Sequence, residues 1–163
     1  NSVRSHLDVK PENVLLKETN GWPWPKLADW GLARNLATKT GSMDALSPEY
    51  AAPEQFDSSK FGDPDQLTDI YQTGTLMYEL LTGRQPATGD YYEVMQRVMR
   101  EGSFVPPSEL RSGLSEAIDA AVGLALEREK TDRYDSITDF RKALTAIRAG
   151  EDLPREVKSR VER

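Results

Sequence analysis

The sequence predicts a mainly α-helical fold with one short β-hairpin, and three observations support this fold class. Two short segments, at residues 14–16 and 26–28, are strand candidates and flank an Asn-Gly turn signal at 20–21. After Pro53, apolar residues recur at intervals of three and four, which is the period of a helix. Residues 29–52 show neither pattern, so we expect a long loop between hairpin and helices.

The hairpin is expected to have a buried first strand and an extended connection. Val14, Leu15 and Leu16 form an aliphatic run, which we interpret as a short buried strand. Residues 17–25 contain two Trp-Pro pairs, so we expect a loop that proline makes stiff.

The second part of the sequence predicts at least four helices. Their expected ranges are 67–82, 89–102, 115–127 and 135–148. Gly83 is expected to end the first of them, and Ser115 and Asp135 are candidate N-caps of the last two. Residues 150–163 are charged and poor in apolar side chains, so we expect a frayed tail.

The composition excludes several classes of protein. The chain has 163 residues, 37% of them hydrophobic and 29% charged, which is typical of a globular domain. It has no cysteine, which excludes disulfides and zinc–thiolate sites and fits a cytoplasmic location. A net charge of −6 argues against nucleic acid as a partner, and no apolar run has the length of a membrane segment.

Three clusters of polar residues are candidates for chemistry. Asp8, Lys10 and Asn13 lie directly before the first strand, and Asp29 follows the second. Oxygens of Asp and Asn suit Mg²⁺, and a carboxylate can accept a proton from an attacking hydroxyl. A lysine can neutralise charge on a phosphoryl group. The third cluster is "SPEYAAPE", which begins at Ser47.

These clusters resemble the motifs of eukaryotic-like serine/threonine protein kinases. The segment "HLDVKPEN" at 6–13 resembles the catalytic loop H-R-D-L-K-x-x-N, "DWG" at 29–31 resembles D-F-G, and "APE" at 52–54 matches A-P-E. The resemblance implies a kinase-like C-terminal lobe (α+β) over 1–149, followed by a charged tail over 150–163. Because the chain starts with asparagine and contains no glycine-rich phosphate loop, we expect a fragment whose N-terminal lobe is absent.

The resemblance also implies a role for each polar residue. Asp8 corresponds to the catalytic base, and Lys10 to the lysine beside the transferred phosphate, where it serves catalysis and nucleotide binding. Asn13 and Asp29 correspond to the two Mg²⁺ ligands. ATP and Mg²⁺ are therefore the implied cofactors, and a protein with Ser or Thr acceptors is the implied substrate. Turn formation is the alternative explanation for Asp and Asn at these positions.

Further residues correspond to the substrate loop and to structural contacts of the family. Ser47 would hydrogen-bond Asp8 and Lys10. The residues that would lie near the substrate are Pro48, Glu49 and Tyr50. The structural residues are His6, which would brace the catalytic loop, Asp69, which would accept its backbone N–H groups, and Glu54 with Arg133, which would form a buried ion pair.

Two departures from the family pattern lead to further expectations. Leu7 stands where the family has an arginine that binds a phosphorylated activation loop, so alanine at Thr38, Thr40 and Ser42 should leave the full-length protein active. Without a glycine-rich loop, the 163 residues alone should neither bind ATP tightly nor transfer phosphate. Because early helices of the family are also absent, we expect helix 67–82 to be partly uncovered and the chain to associate.

Two other functions fit parts of the pattern. A pseudokinase or docking module would bind a partner without catalysis, although the presence of Asp8, Asn13 and Asp29 argues against it. A small-molecule phosphotransferase would share the catalytic loop, but such enzymes lack the A-P-E segment that stands at 52–54.

Overall fold

The structure is a computed structural model that describes residues 5–29, 47–100 and 104–161. The described chain is mostly helical and contains a two-stranded antiparallel sheet, which confirms the predicted fold class. The elements in order are β1 (Val14–Thr19), β2 (Trp22–Leu27), α1 (Pro53–Phe56), α2 (Ser58–Phe61), α3 (Gln66–Thr82), α4 (Tyr91–Val98), α5 (Pro107–Leu110), α6 (Glu116–Ala125), α7 (Ile137–Ala149) and α8 (Arg155–Val161).

The hairpin is tighter and longer than the sequence suggested. Val14 pairs with Leu27 and Thr19 with Trp22, so the expected stiff loop over 17–25 is wrong. Asn20 and the following glycine both have positive φ, 54° and 77°, as a two-residue hairpin turn requires. The prolines of β2 are compatible with a strand because β2 lies at the edge of the sheet.

The prediction that Val14 to Leu16 form a buried strand is also wrong. Leu15 and Leu16 keep 58% and 70% of their surface exposed. Every residue of β2 is exposed as well, so the hairpin projects from the helical body. An aliphatic run indicates a strand, but whether that strand is covered depends on what packs against the sheet.

The central helix α3 agrees with its prediction at both ends. At its start, the Asp65 side chain accepts a hydrogen bond from the Leu67 N–H at 2.8 Å, and the Thr68 hydroxyl accepts one from the Asp65 N–H at 3.0 Å. At its end, Gly83 adopts the left-handed conformation with φ 79°. Seven of its residues are buried, on more than one face. We conclude that α3 is the helix around which the described body is built.

Two apolar clusters pack around α3. One contains Ala52, Tyr71, Tyr78, Ala87, Val94, Val98, Val122 and Leu126. The other contains Ile70, Ala121, Leu124, Ala125, Tyr134, Phe140, Ala143 and Val157. Helices α3 and α6 approach closely at Gly74, where an added Cβ would lie 2.8 Å from the Cβ of Ala125.

Three helix boundaries differ from their predictions. Helix α4 is shorter than 89–102 and is capped by the side chain of Asp90. Ser115 precedes α6 as expected but makes no capping bond with its side chain. Helix α7 is capped by Ser136, whose hydroxyl accepts from the Asp139 N–H at 3.2 Å, and not by Asp135. The Asp135 carboxylate is engaged elsewhere, by Arg160.

The C-terminal segment is more ordered than a frayed tail. Residues Arg155–Val161 form α8, and Val157 is buried in the second apolar cluster. The expectation of fraying is therefore wrong for these residues, because Val157 packs into the core and Arg160 bonds the Arg133 carbonyl and Asp135. The domain boundary at 149 stays a prediction. In the described part of the chain, no helix has both the length and the apolar character needed to cross a membrane.

Candidate active site

The segment from His6 to Asn13, here called the Asp8 loop, is held from below by α3. The Asp69 carboxylate accepts from the His6 N–H at 2.8 Å and from the Leu7 N–H at 2.7 Å. These bonds hold Leu7 at φ 65°, a left-handed conformation that costs a non-glycine residue about 1–2 kcal/mol.

Two glutamines that were not predicted from the sequence also hold the backbone of the Asp8 loop. Gln72 lies one turn after Asp69 on α3, and its side-chain oxygen accepts from the Val9 N–H at 2.8 Å. Gln72 and Gln55 both donate to the carbonyl of Leu7, at 3.1 and 3.0 Å, and Gln72 Nε2 also donates to Gln55 Oε1 at 2.9 Å. Gln72 lies three residues after Asp69 on α3, and Gln55 directly follows Glu54. These two positions are the sequence signal that could have revealed the glutamines.

The Asp8 carboxylate lies at the centre of a polar network. Asn13 Nδ2 donates to Asp8 Oδ2 at 2.8 Å and to the Asp8 carbonyl at 2.7 Å. Lys10 Nζ lies 3.2 Å from the same Oδ2 and donates to Ser47 Oγ at 2.7 Å. One lysine therefore connects the Asp8 loop to the segment that contains Ser47.

His6 connects this loop to the end of the hairpin. Its ring is buried, and Nε2 lies 2.9 Å from the Ala28 carbonyl, while Nδ1 accepts from the Asp8 N–H at 3.3 Å. The tautomer with hydrogen on Nε2 satisfies both bonds. The Ala28 N–H donates to the Asn13 carbonyl at 2.8 Å. Asp29 is the next residue in the chain after this backbone bond.

Asn13 and Asp29 have the chemistry of magnesium ligands. The Asn13 amide nitrogen is bonded to Asp8, which leaves its oxygen on the opposite side of the amide group. Asp29 is exposed and has φ 59°, at the end of the hairpin. Within residues 5–29, 47–100 and 104–161 no cluster of three His, Cys, Asp or Glu could hold a metal. One amide and one carboxylate fit Mg²⁺, which keeps several waters and binds substrate phosphates.

The segment Ser47 to Tyr50 is fixed by its last residue. Pro48–Tyr50 form a single 3₁₀ turn, and the Tyr50 hydroxyl donates to the Glu79 carboxylate at 2.5 Å. Gln85 donates to that hydroxyl at 3.1 Å and to the second Glu79 oxygen at 2.9 Å. Burial, and then the hydrogen bond to Glu79, raise the pKa of Tyr50 well above its usual value. The hydroxyl therefore stays protonated and keeps donating.

Glu54 and Arg133 form a fully buried ion pair below this segment. Arg133 Nη1 and Nη2 donate to the two Glu54 oxygens at 2.7 and 2.8 Å. Its remaining N–H groups donate to the carbonyls of Leu67, Arg128 and Glu127, at 3.0, 3.1 and 2.7 Å. The guanidinium also lies 5.0 Å from the centre of the Tyr71 ring. Every charge-bearing group of the pair is therefore satisfied, as a buried pair requires.

Comparison with known proteins identifies the fold. A model of the protein kinase domain matches residues 3–140 of this chain. The chain belongs to the protein kinase family. The matched range includes the Asp8 loop, the segment from Asp29 and the segment from Ser47, whose correspondence to the family's motifs stays a prediction.

The relatives of this kinase-family chain include bacterial serine/threonine-protein kinases. Over 152 residues it is 34% identical to the serine/threonine-protein kinase PknB of Mycobacterium tuberculosis, which covers 90% of this chain and 23% of PknB. Over 144 residues it is 33% identical to the serine/threonine-protein kinase Pkn1 of Myxococcus xanthus, covering 85% of this chain and 20% of Pkn1. The chain thus spans less than a quarter of the length of these relatives.

The structure brings most of the predicted site residues of this kinase-family chain together. Asp8, Lys10, Asn13 and Ser47 form one hydrogen-bonded network. Asp69 and His6 make hydrogen bonds with backbone groups of or near the Asp8 loop, and Pro48, Glu49 and Tyr50 follow Ser47 in one 3₁₀ turn. Asp29 is placed only as the residue after Ala28, whose N–H donates to the Asn13 carbonyl. Glu54 and Arg133 lie in the core. The expectation for Thr38, Thr40 and Ser42 concerns positions outside the described residues.

Proposed function

We propose that this chain is the C-terminal, catalytic lobe of a serine/threonine protein kinase, which transfers the γ-phosphoryl group of ATP to Ser or Thr hydroxyls of protein substrates. The observation that carries this proposal is the shared Asp8 carboxylate, which contacts Asn13 on one side and Lys10 on the other. The relatives PknB and Pkn1 are serine/threonine-protein kinases, which supports Ser or Thr as the acceptor class.

Asp8 is the proposed base. Its Oδ2 is held by Asn13 and Lys10, so the carboxylate has a fixed direction before a substrate arrives. As the substrate oxygen forms its bond to the γ-phosphorus, the bond from that phosphorus to the β–γ bridging oxygen breaks, and the hydroxyl proton passes to Asp8. A positioned base of this kind contributes on the order of 10²–10⁴ in rate.

Lys10 has two proposed roles. Its charge, beside both Asp8 and Ser47, lies where it can neutralise the phosphoryl group during transfer. Its bond to Ser47 also keeps the segment Ser47 to Tyr50, here called the substrate segment, at a constant distance from the base. A lysine engaged by two partners loses less conformational freedom on substrate binding than a solvated one.

Asn13 and Asp29 are the proposed holders of Mg²⁺ with its nucleotide. When bound, the metal would supply Lewis-acid neutralisation of the phosphate oxygens. The residues themselves provide two hard oxygens from neighbouring backbone segments, tied by the Ala28–Asn13 bond. Ser47 to Tyr50 would lie along the polypeptide substrate, anchored at Tyr50 by Glu79.

The test is phosphate transfer by the full-length protein and its Asp8→Asn variant. The asparagine oxygen can still accept from Asn13, so the loop should stay folded while the base is lost. We expect kcat to fall about 10²–10⁴-fold on a peptide library with Ser, Thr or Tyr acceptors, with only Ser and Thr modified by the wild type. Asp63→Asn, at an exposed position outside this network, is the matched control.

Two results would contradict the proposal. If wild-type protein transfers no phosphate while binding a partner, the chain is a docking module of the kind considered from the sequence. If Asp8→Asn retains full activity, the base is another group, and the proposed geometry is wrong.

A further inference from the structure

Arg160, on the C-terminal helix α8, forms a hydrogen bond with the backbone of the segment that contains Arg133. Its Nη1 donates to the Arg133 carbonyl, and its Nη2 lies 2.6 Å from both oxygens of Asp135. The Arg160 side chain is 20% exposed and that of Asp135 79% exposed. The bond to the carbonyl is therefore the more sheltered half of this contact.

Helix α8 is fixed at two points, of which Arg160 is one. The other is Val157, which is buried together with Leu153 against the cluster that contains Ile70 and Phe140. A cavity of about 190 Å³ remains between α8 and the start of α7. The contact of Val157 with the apolar cluster therefore leaves the C-terminal end of α8 incompletely packed. Arg160, near that end, determines its position.

Arg133, whose carbonyl accepts from Arg160, also forms the ion pair with Glu54, close to the substrate segment. The Arg133 guanidinium is occupied by Glu54 and three carbonyls, whereas its own carbonyl is bonded by Arg160. Glu54 lies in the first turn of α1, which begins at Pro53, three residues after Tyr50. Gln55, the next residue, donates to Leu7 in the Asp8 loop at 3.0 Å. A short series of contacts therefore links α8 to both halves of the candidate site.

We propose that Arg160 is a positioning residue. Through Arg160, α8 holds the backbone at Arg133, and Arg133 in turn fixes Glu54 and with it the C-terminal side of the substrate segment. Its effect on substrates rests on the function proposed above, while its effect on local order does not. Arg160 lies beyond the residues that the kinase-domain model matches, which end at 140.

The first test measures local order by hydrogen–deuterium exchange in the full-length protein. We expect Arg160→Ala to raise exchange about tenfold in peptides over 128–136 and 47–56, a factor that corresponds to about 1.4 kcal/mol. Peptides over 66–82 should not change, because α3 is held by two apolar clusters. Arg155→Ala removes the same charge from an exposed position of the same helix and is the control.

Two exchange results would overturn the proposal. If 47–56 exchanges at the wild-type rate, α8 does not reach the substrate segment. If exchange rises equally in 66–82, Arg160 serves general stability and not position. Should Arg160→Ala fail to fold, Arg160→Gln, which keeps a short neutral donor, is measured against the same two criteria.

The second test separates positioning from stability by steady-state kinetics. We expect Arg160→Ala to raise the KM for a peptide substrate about tenfold and the KM for ATP by much less, because Glu54 is close in sequence to Ser47 to Tyr50 and is linked to the Asp8 loop only through the neighbouring Gln55. An unchanged peptide KM would overturn the positioning of substrate. If the wild type transfers no phosphate at all, the proposed function fails, and the exchange experiment alone decides the role of Arg160.

Discussion

At the scale of single residues, Glu54 and Arg133 are the most constrained side chains of the described chain. Both have no exposed surface, and the guanidinium uses all its donors on protein oxygens. A charge in such a position is tolerated only while its partner is present, since solvation in the core is lost. The pair therefore contributes more to keeping α1 in place than a surface pair could.

We predict that Glu54→Gln lowers the free energy of unfolding by about 3–5 kcal/mol, because it leaves the Arg133 charge uncompensated. Urea denaturation of the full-length protein measures this difference. The control is Asp152→Asn at the exposed Asp152–Lys158 pair, with N–O distance 3.0 Å, where a loss of about 0–1 kcal/mol is expected. Equal losses at the two sites would show that the pair at Glu54 is hydrated in solution.

Asp69 gives a prediction about pH. Burial raises the pKa of its carboxyl, and the hydrogen bonds from Leu7 and His6 oppose this only in part. A carboxyl whose pKa is raised by folding contributes most to stability below its unfolded pKa of about 3.9, and this contribution declines as pH rises through the folded value. The ionised form still holds two N–H groups, so part of its contribution remains.

In Asp69→Asn the amide NH₂ would face one of those N–H groups, which costs about 1–3 kcal/mol. We expect the wild type to be more stable than this variant, by a margin that shrinks as the pH is raised from about 3 to about 6. Urea unfolding of both proteins at several pH values measures this margin. A margin that grows with pH would mean that the two N–H bonds outweigh burial.

At the scale of elements, the crossing of α3 and α6 depends on one glycine. An added Cβ at Gly74 would lie 2.8 Å from Ala125 Cβ and 3.3 Å from Leu126 Cδ2, both on or beside α6. Gly123, on α6 itself, would place its Cβ 3.5 Å from Phe104 Cζ, an ordinary contact. The two glycines are therefore alike in sequence but not in packing.

We predict opposite results for alanine at these two glycines. Gly74→Ala should cost about 1–3 kcal/mol, because the helices must separate. Gly123→Ala should be neutral or stabilise by up to about 1 kcal/mol, because alanine reduces the freedom of the unfolded chain. Thermal unfolding measures both. A stabilising Gly74→Ala would mean that α3 and α6 can move apart without loss.

At the scale of the whole molecule, exposed apolar surface is concentrated on the hairpin. Trp22 and Trp24, two residues apart on one face of β2, are 72% and 60% exposed, and Leu16 is 70% exposed on the paired strand. From the sequence we expected such surface on helix 67–82, but that helix is largely covered, with Leu80 as its exposed apolar residue. Apolar patches of this kind favour association.

We predict that the 163 residues, expressed alone, associate through the hairpin and transfer no phosphate. Sedimentation should show oligomers that the Trp22→Ser, Trp24→Ser double variant dissolves, while Leu80→Ser, at a similarly exposed site on α3, leaves them unchanged. Phosphate transfer by the isolated chain in ATP and magnesium would contradict the second part. Oligomers that persist in the double variant would contradict the first.

Much of the site could be predicted because its chemistry lies in short, local patterns. Asp8, Lys10 and Asn13 lie within six residues, and the contacts among them follow from one tight loop. Gln55 and Gln72 were not predicted, because a glutamine in a helix is usually solvated and only its neighbours reveal a bond to Leu7. Asp135 was misassigned as a cap because Ser136, which follows it, competes for the same role.

The sequence by itself determined the helical period, the position of the Asn-Gly turn and the order of kinase motifs, since each depends on residues close together in the chain. Only the tertiary structure decided that the strands of the hairpin are exposed, that Gly74 and not Gly123 lies at a helix crossing, and that α8 docks through Val157 and Arg160. The physical reason is that burial and long-range hydrogen bonds depend on which elements meet. Local spacing in the chain does not specify those meetings.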